Sequence, residues 1–151
     1  MSFKMKYFEK CGPSTEKDVE GFERLIGKTL PEEYKHFLLE DGGGVHAAPC
    51  LFNIPGRGES IVKTLYGNSG NDYLSLRYYI EMTHTYPKGY LPIGDDPFGN
   101  RIVLGLSWPR KGKVYWCDHE ITDEGYEKKP IKINDSFCGF IKTLKPDEIR
   151  T

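Results

Sequence analysis

The chain has 151 residues, enough for one domain with a substantial hydrophobic core. Its 21 basic and 22 acidic residues give a net charge of -1, which argues against bulk electrostatic binding to nucleic acid or to an anionic membrane. No apolar run reaches the roughly 18 residues of a membrane-spanning helix. The N-terminal residues lack the apolar core and cleavage site of a signal peptide. These features predict a cytoplasmic globular protein.

The four cysteines are widely scattered, and no Cys-x-x-Cys pair occurs. Zinc ribbons and thioredoxin-type redox sites need such pairs, so neither is expected. In a reducing cytosol the simplest prediction is four free thiols.

Two helices are predicted near the N-terminus. Ser14-Thr15 supplies N-cap residues for the first, which runs over Glu16–Ile26 with apolar residues at helical spacing, and Gly27 ends it. Pro31 suits the first position of the second helix. The run Gly42–Gly44 stops that helix, and because these glycines follow a helix they indicate a C-terminal cap rather than a phosphate-binding loop.

The middle of the chain is less regular. Val45–Ile54 predicts one or two short strands interrupted by Pro49. The following stretch, Arg57–Asn71, is rich in Gly, Ser and Asn and predicts a mobile loop. A third helix, capped by Asn71 or Asp72, is expected to carry Leu76, Tyr79, Ile80 and Thr83 along one face.

The second half of the chain predicts strands joined by turns and a last helix. Phe98–Asn100 is a turn between two apolar runs, and Ile102, Leu104 and Leu106 alternate in a way that predicts one buried strand face. Ile121–Pro130 is polar and predicts a long hairpin loop. Further elements are a short strand over Ile131–Ile133 and a helix, capped by Asp135 or Ser136, with Phe137, Phe140, Ile141 and Leu144 on one face.

Helices at both ends with strands between them predict an α+β fold, a mostly antiparallel sheet packed against N-terminal, middle and C-terminal helices. The run Leu-Pro-Ile-Gly-Asp-Asp-Pro-Phe-Gly-Asn within Tyr90–Leu104, followed by Gly-Lys-Val-Tyr-Trp-Cys-Asp-His-Glu at 112–120, resembles the core signature of the SUKH superfamily. The Leu-Pro pair at 30–31, with aromatics and then glycines, resembles the N-terminal region of that family. The resemblance is strongest over residues 16–144 and implies a single domain covering residues 1–151.

The resemblance also implies a function. Bacterial members are mostly immunity proteins, so the expected role is binding and neutralising a cognate toxin domain, often a nuclease, without catalysis, cofactor or metal. The alternative is a scaffold role like that of the fungal regulator of cell-wall synthesis after which the group is partly named. Pro97–Asn100 stands where many relatives carry a run of glycines ending in Asp, which argues against a shared ligand at this turn.

Two chemical alternatives are weaker. Cys117 and His119 share one face of a strand, but side chains two residues apart on a strand point in parallel, so a Cys–His nucleophile pair is not favoured. A metal site built from His119, Asp118 and Asp95 or Asp96 is chemically reasonable, yet nothing in the spacing requires it. Turn capping by the aspartates through their own backbone is the preferred interpretation.

Charge is segregated along the chain. Glu16–Asp41 holds eight acidic and four basic residues, and Asp118–Glu127 holds five acidic residues and no Lys or Arg. Such acidic regions are typical either of a solvated surface or of a surface that binds a complementary protein partner with basic side chains. Trp108 and neighbouring aromatics beside Arg110, Lys111 and Lys113 allow nucleic-acid stacking as an alternative, but a strand core beside a basic turn is preferred. Direct binding of nucleic acid or membrane is not expected, and the chain is expected to be a monomer or a weak dimer. The residues predicted to contact the partner are Asp95, Asp96, Asn100, Asp118, His119, Glu120, Asp123 and Glu124, with Tyr90 and Trp108 as aromatic anchors.

Overall fold

The described part of the chain has an α+β fold, as the sequence predicts. The computed structural model describes residues 7–68, 74–82, 89–118 and 130–146. Within those residues, four helices accompany an eight-stranded sheet whose paired strands are all antiparallel. None of the described helices is long and apolar enough to cross a membrane. In chain order the elements are β1 (Tyr7–Lys10), α1 (Glu16–Ile26), α2 (Glu32–Glu40), β2 (Gly44–Ile54), β3 (Gly58–Leu65), α3 (Leu76–Met82), β4 (Tyr90–Asp95), β5 (Arg101–Gly105), β6 (Val114–Cys117), β7 (Ile131–Asn134), α4 (Phe137–Thr143) and β8 (Lys145–Pro146).

The first helix begins and ends at the residues that the sequence predicts. Thr15 Oγ1 accepts a hydrogen bond from the Asp18 N–H at 3.1 Å, and the Asp18 carboxylate accepts one from the Thr15 N–H at 3.3 Å. This reciprocal capping box satisfies donors that the first turn of a helix leaves open. At the other end, Gly27 adopts a φ of 70°, which glycine takes without a steric penalty. The second helix follows Pro31 directly, within one residue of its predicted start.

The predicted mobile loop over Arg57–Asn71 is wrong, because most of it is the interior strand β3. Ser60, Val62 and Thr64 are buried and alternate with more exposed residues such as Lys63, the pattern of a strand with one covered face. Two of those three inward residues carry hydroxyl groups, which removed the hydrophobic alternation that would have identified the strand. The predicted one or two strands over Val45–Ile54 form one strand, β2. Its register with β3 shifts between Val45 and Cys50.

The sheet order is β1-β2-β3-β4-β5-β6-β7, with β8 paired to β2. The β2–β3 hairpin is paired from Gly44 with Leu65 to Ile54 with Gly58, whereas β3 and β4 pair only at Thr64 with Asp95 and Leu65 with Gly94. One further backbone hydrogen bond, from the Tyr66 N–H to the Ile93 carbonyl at 2.8 Å, extends this junction. The part of the β2–β3 hairpin before Thr64 is not paired with β4. Because β2 also contacts β7, the sheet bends at the β3–β4 junction.

One large core joins all four helices to one face of the sheet. Ile102 and Leu104 of β5 are fully buried in it, which confirms the predicted alternation on that strand. Val103 between them belongs to a small cluster that also contains Tyr115 and Cys117. The core residues of the helices are Val19 and Phe22 of α1, Tyr34, Phe37 and Leu38 of α2, Leu76 and Tyr79 of α3, and Phe137 and Phe140 of α4.

Aromatic rings hold the last helix against the second. The Phe137 ring meets the Tyr34 and Phe37 rings edge-on, at centroid distances of 5.1 and 5.0 Å. Burial of a phenylalanine of this kind contributes about 1.5–3 kcal/mol. The Glu33 carboxylate of α2 also accepts a hydrogen bond from the Cys138 N–H at 3.1 Å, in the first turn of α4. Ser136 caps α4 through its hydroxyl group, as predicted. The predicted hairpin loop over residues 121–129 lies outside the described residues.

The glycine run after α2 lets three stretches of backbone pack against one another. A Cβ atom on Gly42 would lie 1.8 Å from the Gly12 carbonyl oxygen, and one on Gly43 would lie 2.4 Å from the Leu65 oxygen. All three residues of Gly42–Gly44 also have positive φ values. The run therefore does more than stop the helix, because no residue with a side chain fits where this loop crosses β3 and the β1–α1 connection.

Candidate functional site

The described residues among those predicted to bind a partner lie at two opposite ends of strands β4, β5 and β6. Tyr90 pairs with Gly105 at one end of β4, whereas Asp95 pairs with Arg101 at the other. At a rise of about 3.3 Å per residue, these ends are about 17 Å apart. We call the end with the β4–β5 turn the signature end. The opposite end carries the β5–β6 connection, residues 106–113, which we call the tryptophan loop.

Asp96, at the start of the β4–β5 turn, is 3% exposed and accepts five hydrogen bonds. The backbone N–H groups of Phe98 and Asn100 and the Asn100 side-chain amide each donate at 2.9 Å. The Ser60 hydroxyl donates at 3.1 Å and the Trp116 indole at 3.3 Å. A buried carboxylate is stable only when donors surround it in this way. Asp96 and Asn100 therefore fix the turn, and we do not place them in the contact surface.

Asp95 belongs to a second buried cluster on the neighbouring strands. It is 9% exposed, and the Tyr66 hydroxyl donates a hydrogen bond to it at 2.7 Å. Burial raises the pKa of Asp95, while the Tyr66 hydrogen bond and the nearby Arg101 charge oppose that rise. The Tyr66 ring stacks on Tyr79 at 3.8 Å, and the Arg101 guanidinium lies 5.2 Å from the centroid of the Tyr79 ring. These contacts make Asp95 a structural residue.

Asp118 ties the end of β6 to the tip of the β2–β3 hairpin. Its carboxylate forms an ion pair with Arg57 at 3.0 Å, and the Arg57 guanidinium lies 5.2 Å from the centroid of the Trp116 ring. The Asp118 side chain is 10% exposed, so most of it faces the protein. The ion pair therefore fixes the point at which the acidic region 118–127 begins. Four more of the predicted contact residues, His119, Glu120, Asp123 and Glu124, lie outside the described residues.

Trp108 is 83% exposed on the tryptophan loop. Two lysines tie this loop to the α1–α2 connection: Lys28 Nζ donates to Ser107 Oγ at 2.8 Å, and Lys111 Nζ donates to Thr29 Oγ1 at 3.2 Å. The loop that carries the exposed ring is therefore bonded to the α1–α2 connection both before and after Trp108, at Ser107 and at Lys111.

Backbone contacts fix the base of the tryptophan loop. The Gly105 N–H donates to the Lys113 carbonyl, and the Gly112 N–H donates to the Gly105 carbonyl, both at 2.9 Å. A Cβ atom on Gly105 would lie 2.1 Å from the Arg110 carbonyl oxygen, so the loop folds back directly onto β5. Tyr90 is half-buried beside it, with the Arg110 guanidinium 5.8 Å from its ring centroid.

An acidic groove runs between α1 and α2, with a volume of about 290 Å³. Glu23 is paired with Lys35 at 3.2 Å and also accepts the Leu30 N–H at 2.7 Å, so it is occupied within the protein. The groove is lined by Glu16, Val19, Glu20, Glu23, Glu32, Lys35, His36 and Leu39, of which Glu16, Glu20, Glu32 and His36 are exposed.

Cys117 does not have the environment of a nucleophile. It is 4% exposed, and burial raises the pKa of its thiol to about 12, so the protonated form prevails at neutral pH. His119, the other member of the Cys–His pair considered above, lies outside the described residues. Within the described ranges, no group of three or more His, Cys, Asp or Glu side chains is arranged to hold a metal ion.

The fold and the signature turn define a class of protein. The chain belongs to the SMI1 / KNR4 family (SUKH-1), whose family model matches residues 13–143, and this confirms the resemblance seen in the sequence. The chain is also 26% identical over 154 aligned residues to the SPbeta prophage-derived uncharacterized protein YokK of Bacillus subtilis (strain 168). That alignment covers 90% of this chain and 77% of the relative.

Two residues at the signature end were not singled out from the sequence. Phe98 is 65% exposed at the tip of the β4–β5 turn, and Arg57 joins the hairpin tip to β6. The sequence carried a signal for Phe98, because a ring between Pro97 and Gly99 in a short turn has no route to the core. It carried none for Arg57, whose partner lies 61 residues away.

Proposed function

We propose that this protein binds and neutralises a cognate bacterial toxin domain that has a basic surface, such as a nuclease, and that it does so by occupying that surface without catalysis. Membership of the SMI1 / KNR4 family (SUKH-1) and the likeness to a prophage-derived protein support the proposal. The observation that carries it is the acidic surface of α1 and α2. Six carboxylates are exposed there, against three exposed basic side chains over residues 16–41.

These carboxylates are proposed to bind the basic side chains with which a nuclease binds its nucleic-acid substrate. A nuclease presents Lys and Arg side chains to phosphates, and a row of carboxylates competes for the same groups. Opposite charges also steer the two proteins together, which raises the association rate most strongly at low salt. The exposed carboxylates are Glu16, Asp18, Glu20, Glu32, Glu33 and Glu40.

The acidic region after β6 is the second part of the proposed contact surface. Asp118, through its ion pair with Arg57, anchors the start of this region. The residues proposed to contact the toxin here are His119, Glu120, Asp123 and Glu124, and the exposed ring of Phe98 projects from the same end of the strands. An exposed aromatic residue on a fixed turn is suited to fill a partner's apolar pocket at little entropic cost.

Co-expression with the product of the adjacent upstream reading frame tests the function. We expect host survival only when this chain is present, together with a stable one-to-one complex on purification. Death of the host despite soluble, folded protein would remove that neighbour as the target, as would a neighbour that is not toxic. Binding of a host protein without any protection would favour the scaffold alternative.

Charge reversals test the electrostatic mechanism. Asp123→Lys with Glu124→Lys, and separately Glu32→Lys with Glu40→Lys, are each expected to lower the association rate about tenfold at low salt. Glu59→Lys is the control for the Glu32 and Glu40 pair, because it reverses an exposed carboxylate on β3, outside α1 and α2. Cys117→Ala is expected to leave protection intact, since no thiol chemistry is involved. Unchanged affinity in every reversal would refute the electrostatic mechanism.

A further inference from the structure

We propose that two copies of this chain associate through a reciprocal contact, in which the tryptophan loop of each copy lies in the acidic groove of the other. The observation that prompts this is Trp108, which is 83% exposed on a loop whose backbone and flanking lysines are held in place. A mobile loop would have to be ordered on binding, whereas the backbone that carries this ring is already held in place. Exposed tryptophans of this kind are typical anchors of protein interfaces.

Charge identifies the surface that suits the loop. The tryptophan loop carries Arg110, Lys111 and Lys113 and no acidic residue, and Lys28 lies beside it. A partner surface must therefore combine carboxylates with an apolar floor. The acidic groove has both, because Glu16, Glu20 and Glu32 border it and Val19 and Leu39 form part of its lining. The segregated charges of a nearly neutral chain thus match one another between copies. Because Glu16, Glu20 and Glu32 also belong to the proposed toxin contact, self-association and toxin binding compete for the same surface.

The loop and the groove lie on one continuous surface, which allows both contacts to form in the same pair. A second hollow beside the end of α1 is lined by Glu20, Glu23, Arg24, Gly27, Lys28 and Thr29. It shares Glu20 and Glu23 with the acidic groove. At its other side, Lys28 and Thr29 are hydrogen-bonded to the tryptophan loop. A two-fold axis through this hollow would bring each loop to the groove of the other copy, giving a closed, symmetric dimer.

Sedimentation velocity of the purified chain over a concentration series tests the pairing, without any toxin. We expect a monomer–dimer equilibrium that weakens as salt increases. Two variants reverse one side each: Arg110→Glu with Lys111→Glu on the loop, and Glu16→Lys with Glu20→Lys on the groove. Each alone is expected to raise the dimer dissociation constant at least about 100-fold, since two like-charged contacts of about tenfold each are introduced per dimer.

The equimolar mixture of the two variants is the decisive sample. In a mixed pair the acidic loop of one variant meets the basic groove of the other, and the basic loop meets the acidic groove, so both contacts are complementary again. We expect the mixture to dimerise within about tenfold of the unmodified chain. Restoration of this kind also shows that both variants are folded.

Aromatic substitutions complete the test. Trp108→Ala is expected to raise the dimer dissociation constant at least about tenfold. Phe98→Ala, which removes an exposed ring at the other end of the strands, is the matched control and is expected to have no effect. The proposal is overturned if the chain stays monomeric up to about 1 mM, if the dimer persists in both reversed variants, or if their mixture fails to associate. A monomer that binds a DNA duplex through Trp108 would also overturn it and would favour nucleic-acid stacking.

Discussion

Replacing Asp96 with alanine should remove the group that holds the signature end together. Three of its five donors, the Asn100 N–H, the Asn100 amide and the Trp116 indole, belong to residues that are buried at 8% and 5% exposure. Each buried donor left without an acceptor costs about 1–3 kcal/mol. Because three such buried donors lose their acceptor, we expect a total loss of about 4 kcal/mol, near the upper end of single-substitution effects.

Urea unfolding, followed by tryptophan fluorescence, measures this loss. With a slope of about 2 kcal/mol/M, a loss of 4 kcal/mol lowers the midpoint by about 2 M. Asp96→Asn keeps one acceptor oxygen and the shape of the side chain, so about half of that decrease is expected. Glu59→Ala, an exposed carboxylate on β3, is the control and should leave the midpoint unchanged. A midpoint for Asp96→Ala within about 0.5 M of the unmodified chain would show that the hydrogen-bonding argument is wrong.

Further predictions concern backbone packing, pH and the hairpin tip. A Cβ on Gly43 would lie 2.4 Å from a backbone oxygen, so Gly43→Ala should cost more than about 3 kcal/mol, whereas Gly27→Ala, with φ of 70° and no atom within 4 Å, should cost only about 1–2 kcal/mol by the same urea assay. Burial lowers the pKa of His46 below 6.5, so the unfolded state binds more protons below that pH, and the free energy of unfolding should fall as the pH decreases from 6.5. His46→Phe should flatten this part of the pH profile, and parallel profiles would contradict the assignment. Arg57→Ala should cost about 1 kcal/mol and speed amide exchange in the β2–β3 hairpin, and unchanged exchange would argue against its role.

The elements that could be predicted from the sequence are those determined by local chemistry. The bounds of α1 follow from Thr15 and Gly27, which act within a few residues of themselves. The β4–β5 turn follows from Phe98–Asn100 in the same way, and Ser136 caps the last helix as its sequence indicates. The structural role of a residue can be predicted from the sequence when its hydrogen-bonding partners lie nearby in the chain.

The predictions that failed or stayed open depend on distant parts of the chain. The strand β3 is stabilised by pairing with β2 and by hydroxyl groups that reach across the sheet, so its own residues gave no clear pattern. The sequence indicated that Asp96 caps its own turn, which its bonds from the Phe98 and Asn100 N–H groups confirm, but it did not indicate the bonds from Ser60 and Trp116 on distant strands. Trp108 follows the Asp96 turn closely in the sequence, yet the two lie at opposite ends of the strands.

Because β3 and β4 pair at only two positions, we expect the sheet to separate first at this junction during partial unfolding. On one side lie the N-terminal strands with α1 and α2, and on the other the β4–β7 meander, and the β2–β3 and β4–β5 ladders within them are longer than the β3–β4 pairing. The bonds from Ser60 to Asp96 and from Arg57 to Asp118 bridge the two halves at the signature end. A protein partner bound across the signature end would therefore hold the two halves of the sheet together. It would raise the free energy of this opening and lengthen the lifetime of the intact fold, even without contacting the core.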